Sequence, residues 1–171
     1  MAVIQKDGVI IGLSNITSYY CEEDDIHDQE DFGTYECFDF TFTVNEENIL
    51  SQIIGTSVVD SQIGTSFELC SGNIVSLIQM IEDGLNTGEY QEIEFLEPNF
   101  SFELKPNQGN PENPSFTFHI WLNSGNWEGI YGSTDVGARI PMKKTVLETF
   151  LEELKTEWNN REKKWYRDRD K

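Results

Sequence analysis

From Tyr35 to Val44 the chain reads Tyr-Glu-Cys-Phe-Asp-Phe-Thr-Phe-Thr-Val, with Phe38, Phe40, Phe42 and Val44 at every second position. Asp39, Thr41 and Thr43 fall between them. Successive side chains of a strand point to opposite faces, so this period of two fits a half-buried strand and no helix. The alternation returns three times further on. Ile93 and Phe95 oppose Glu92 and Glu94; Phe100, Phe102 and Leu104 oppose Ser101 and Glu103; Phe116, Phe118, Ile120 and Leu122 oppose Thr117, His119 and Trp121. Strands of this kind joined by turns make an antiparallel meander with one buried face and one open face.

Two segments switch to the helical period. Ile74, Leu77, Ile78, Ile81 and Leu85 lie on one face, with Ser71 suited to the N-cap and Gly84 or Gly88 to the end. Val146, Leu147, Phe150, Leu151, Leu154 and Trp158 form a second stripe, and Pro141 suits the first turn of that helix. The expected fold is α+β: an antiparallel meander sheet with two α-helices packed on one face. Residues 8–20 read as a strand or hairpin arm. The echo Ser51–Ser57 and Ser61–Ser66 reads as two short strands, and Gly129–Ser133 as a further meander strand extending towards Ile140. One domain is expected over residues 1–158, with 159–171 as a basic helical extension or tail.

Charge narrows the partners. Among 171 residues, 31 are acidic and 12 basic, a net charge of −19. Residues 1–138 hold 24 acidic side chains and only two basic ones, Lys6 and Lys105, whereas residues 139–171 hold ten basic and seven acidic. Nucleic acid and anionic membrane are poor partners for such a surface. The densest run is Glu22, Glu23, Asp24, Asp25, Asp28, Glu30 and Asp31. It reads either as a solvated loop kept for solubility or as a surface for a basic partner. The first residues lack a signal-peptide pattern and no apolar run approaches the ~18 residues of a membrane span, so a cytoplasmic protein is expected.

Motifs for chemistry are missing. Cys21, Cys37 and Cys70 are odd in number and widely spaced, fitting neither a disulfide framework nor a zinc site, and reduced thiols are expected. His27 and His119 are accompanied by no nucleophile turn or oxyanion loop. The acidic run lacks the oxygen spacing and central Gly of an EF-hand, and no phosphate loop occurs. No catalytic, cofactor-binding or metal-ligating residue is assigned. Trp121 is more informative: parity sets it, with His119, opposite the apolar set of its strand and near Glu103. There it is either a protein-binding anchor rimmed by acids or a side chain covered by a neighbouring segment. Trp127, beside Gly125 and Glu128, has similar standing.

The strand Tyr35–Phe42, the segment Thr65-Ser-Phe-Glu-Leu-Cys-Ser-Gly-Asn-Ile-Val-Ser-Leu-Ile-Gln-Met80, and Gly129-Ile-Tyr-Gly132 followed by Pro141–Trp158 resemble the WapI-type immunity proteins of bacterial polymorphic and contact-dependent toxin systems. The resemblance spans roughly residues 35–158. It implies a small cytoplasmic protein, not an enzyme, that binds and neutralises one cognate toxin. The acidity suits a basic, nuclease-like toxin. The alternative is a phage or mobile-element anti-defence protein, an acidic DNA mimic or inhibitor. Charge concentrated in one loop, rather than spaced along a surface, speaks against a mimic.

Overall fold

The computed structural model describes residues 1–20, 34–48, 66–70, 74–95, 100–109, 114–123 and 135–165. Its first strands are β1 (Ala2–Lys6), β2 (Val9–Tyr20), β3 (Thr34–Val44), β4 (Glu47–Asn48) and β5 (Ser66–Cys70). Two tight turns start the sheet. Asp7 and Gly8 both have positive φ, as do Asn45 and Glu46, the backbone that two-residue hairpin turns demand. The turns lie side by side: the Asn45 N–H donates to the Gly8 carbonyl at 2.8 Å. A Cβ on Gly8 would collide with the Asn45 side chain. Long antiparallel β2 and β3 form the spine of this sheet, interrupted by a bulge between Ser14 and Thr17. Asn15 takes the left-handed conformation there and donates its amide to Asp39 at 2.6 Å. On β3, β4 and β5 share the outer edge.

The chain continues through α1 (Ile74–Thr87), β6 (Gln91–Phe95), β7 (Phe100–Pro106), β8 (Ser115–Asn123), β9 (Asp135–Lys143), α2 (Lys144–Asn159) and β10 (Glu162–Trp165). Strands β6 to β9 form the expected antiparallel meander in sequence order. Its alternating apolar residues, including Phe102, Leu104, Phe116, Phe118 and Ile120, are buried. They share one core with the first sheet and the helices. A run of rings shows the continuity: Phe40 of β3 meets Phe102 edge-on at 6.4 Å, Phe102 stacks on Phe118 at 5.7 Å, and Phe118 meets Phe150 of α2 at 6.2 Å. Helix α1 packs on β6 and β7, and α2 packs on β1, β2 and β9. Gly84 is buried where α1 crosses Leu104, and a Cβ there would run into that side chain.

Both ends of α1 are held from a distance. The buried Glu36 carboxylate on β3 accepts the Ile74 N–H at 3.0 Å, and the Lys144 ammonium donates to the Leu85 carbonyl at 3.3 Å. A negative group at the first turn and a positive one at the last oppose the helix dipole favourably. Lys155 bridges from α2 to Glu82 of α1 at 2.7 Å, which offsets the acidic residues near that helix's end.

The α+β class, the meander and the two helices are as the pattern predicts, and the structure adds detail. The first strands form a separate six-stranded mixed sheet, because β10 returns parallel to β2 beyond the end of β1. The chain after α2 is thus a strand over Glu162–Trp165 instead of continuing the helix. Arg161 turns the corner: its Nε donates to Ser18 at 2.8 Å and its guanidinium lies 3.7 Å from the Trp158 ring centre. Pro141 belongs to β9 and not to α2, which starts at Lys144. Among the described residues β9 is an edge strand of the meander, where a missing N–H is tolerated. Val146 is exposed rather than core, whereas Met80 joins the buried face of α1. Cys37 is disulfide-bonded, which corrects the expectation of reduced thiols. The expected Ser71 cap, the strands over 51–66 as far as residue 65, and the strand over 129–133 lie outside the described residues.

Candidate binding face

The open face of the meander gathers the polar residues of the alternating strands. Glu103, Lys105, Thr117, His119 and Trp121 project there from the two central strands because their neighbours fill the core. The ladders set Glu103 opposite His119, His119 opposite Arg139, and Trp121 opposite Gly137. On the outer strand Glu92 lies opposite Glu103. Two carboxylates facing each other across a ladder are unfavourable.

The half-buried Trp121 indole is braced by Glu103, His119 and Arg139. Its Nε1–H donates to Glu103 Oε1 at 2.7 Å. Its ring meets His119 edge-on at 5.9 Å, and the Arg139 guanidinium stands 5.5 Å from its centre. Beneath it, Gly137 leaves the space: a Cβ at that position would strike Trp121 Cε3 and the Ile120 carbonyl. Glu103 Oε2 pairs with the Lys105 ammonium. Lys105 in turn stands 5.3 Å from the ring of Tyr90, whose hydroxyl donates to Glu92 at 2.7 Å.

His119 lies at the centre. Parity sets it on the face opposite Phe118 and Ile120, but it is buried there, at 6% exposure, which corrects the expectation of an open position. Its Nδ1 is 3.4 Å from Glu103 Oε2 and makes no hydrogen bond. Burial, aided by the charges of Lys105 and Arg139, holds its pKa below the ordinary value, against the pull of Glu103. Burial pushes the Glu103 carboxyl up, but the hydrogen bonds from Lys105 and Trp121, with the charges of Lys105 and His119, outweigh it and hold the pKa down. At neutral pH the cluster is therefore a charged carboxylate, a neutral imidazole and two flanking cations.

Of the expected site residues, Glu103, His119 and Trp121 are brought together here. Glu22, Glu23, Asp24, Asp25, Asp28, Glu30 and Asp31 lie outside the described residues, as do His27 and Trp127. Lys105, Arg139 and Gly137 were missed. The register of β9 against β8 would have revealed the last two, but that register is not written in either strand alone. A separate shallow groove of about 600 Å³ runs along α2, lined by Met1, Thr145, Glu148, Glu152 and Glu157 among others, and shares no residue with the Trp121 cluster.

Among the described residues, no group of three His, Cys, Asp or Glu side chains is placed to hold a metal ion, and no helix is long and apolar enough to cross a membrane. No protein-family model matches the chain, and no curated protein or solved structure matches it.

Proposed function

We propose that this chain is an immunity-type protein of the cytoplasm that binds and neutralises a basic toxin, working by occlusion and not by chemistry. The observation that carries the reading is the placement of Trp121 on the open meander face, outside the core and braced by Glu103, Arg139 and Gly137. A large aromatic held rigid at a surface loses little freedom on docking, which is what an interface anchor needs. The net charge of −19 supplies the second half: it draws in a cationic protein and speeds the encounter. A nuclease, which holds phosphates with Lys and Arg, is the toxin chemistry that fits.

The test uses the full chain as bait in the native host. The expected capture is one basic protein whose toxicity the chain suppresses, with an association rate that falls steeply as salt rises. Neutralising Glu22, Glu23, Asp24 and Asp25 together should slow association and leave folding intact. A captured partner without basic surface, or an association rate indifferent to salt, would overturn the reading.

A further inference from the structure

Cys37 is disulfide-bonded and only 1% exposed. The chain holds two other cysteines, Cys21 and Cys70. The β3–β5 ladder sets the backbone of Cys70 directly opposite that of Cys37. Directly opposed residues of antiparallel strands have Cα atoms about 4.5–5.5 Å apart, within the roughly 4.4–6.8 Å that a disulfide spans. We propose that Cys37 and Cys70 form a cross-strand disulfide that staples β5 to β3 and makes the seating of α1 sensitive to redox conditions.

Position in the fold gives the staple its consequence. Strand β5 ends at Cys70 and α1 begins at Ile74, so the stapled strand and the helix are close neighbours in the chain. The residue before Cys37 is Glu36, whose carboxylate receives the Ile74 N–H. Adjacent positions on β3 therefore grip the strand and the helix that follows it. The opposite edge of the same stretch is also occupied: Glu36 pairs with Ser18 of β2, and Ser18 accepts from Arg161 at the start of the final strand. Strand β2, strand β5 and helix α1 all meet this short length of β3.

The bond forms by exchange with a disulfide oxidant such as glutathione disulfide. The two cysteine thiols lose two electrons and two protons, and the oxidant leaves as two thiols. Disulfides persist in oxidising compartments, whereas in the reducing cytoplasm proposed above the same pair stands as dithiol until an oxidant closes it. The staple thus closes a loop of roughly 30 residues under one condition and releases it under the other.

The experiment maps the bond in the full chain. Protein refolded in a glutathione redox buffer is alkylated in denaturant without reductant, cleaved after Glu and weighed by mass spectrometry. Trypsin would be useless, because no Lys or Arg lies between Lys6 and Lys105. The expected result is a linked pair of peptides carrying Cys37 and Cys70, dissolved by reductant, with Cys21 alkylated. In parallel, Cys37→Ser and Cys70→Ser should each lower Tm by roughly 10 °C, reductant should lower the parent by the same amount, and Cys21→Ser should change nothing. A Cys21–Cys37 link, three alkylated thiols, or a parent whose Tm ignores reductant would overturn the proposal.

Discussion

The indole N–H of Trp121 and Oε1 of Glu103 are 2.7 Å apart, joined diagonally across the β7–β8 ladder. Neither residue is in the apolar core, and each is held by further partners: Arg139 and His119 against the indole, Lys105 against the carboxylate. A surface aromatic fixed in this way is presented in one orientation. The binding proposal rests on that relationship.

Acid should weaken the fold through His119. Its folded pKa lies below the ordinary 6.5, so the unfolded chain takes up the proton more readily. Stability therefore begins to fall as pH drops below about 6.5. Glu103, also held low, adds a loss in the same direction further down, as pH falls through the carboxylate range. Glu36, held high chiefly by burial, acts in the opposite sense. Urea melts at pH 7.5 and 5.5 isolate the first effect: His119→Gln should lose less stability across that interval than the parent. Equal losses would remove His119 from the account.

Gly137→Ala should cost about 1–3 kcal/mol, although the position is exposed. The new Cβ meets the Ile120 carbonyl and the Trp121 ring, so either the β8–β9 ladder or the indole has to shift. Thermal melting gives the cost, and the Trp121 indole N–H resonance reports whether the ring has moved. A neutral substitution with an unmoved resonance would contradict the packing described.

At Glu36 the acceptor matters more than the charge. Glu36→Ala leaves the Ile74 N–H unpaired where it is buried and should cost about 2 kcal/mol. Glu36→Gln keeps an acceptor oxygen and removes a carboxylate that burial disfavours, at the loss of its attraction to Arg161. It should stay within about 1 kcal/mol of the parent in urea melts at pH 7. Equal losses from the two substitutions would show that charge, not capping, is the contribution.

Alternation made the meander legible, because burying one face of a strand writes itself into every second residue. It also placed Trp121 and His119 on the correct face. What it could not supply was anything decided between strands. Arg139 and Gly137 depend on the pairing of β9, and Glu36 reaches the start of α1 from a distant strand. The final strand, Glu-Lys-Lys-Trp, shows no apolar period; its pairing is a backbone ladder with β2, which composition does not record. Pro141 misled because the same fixed φ and missing N–H that suit a helix start also suit an edge strand. Cys37 misled because an odd cysteine count says nothing of which two face each other.

The most direct test of the binding claim is Trp121→Ala, measured at once for stability and for retention of the captured basic partner. A half-buried anchor predicts a modest loss of stability, below about 3 kcal/mol, and a loss of at least tenfold in affinity. A variant that binds as the parent does, or one whose stability falls by more than about 3 kcal/mol, would show that Trp121 serves the fold and not a partner.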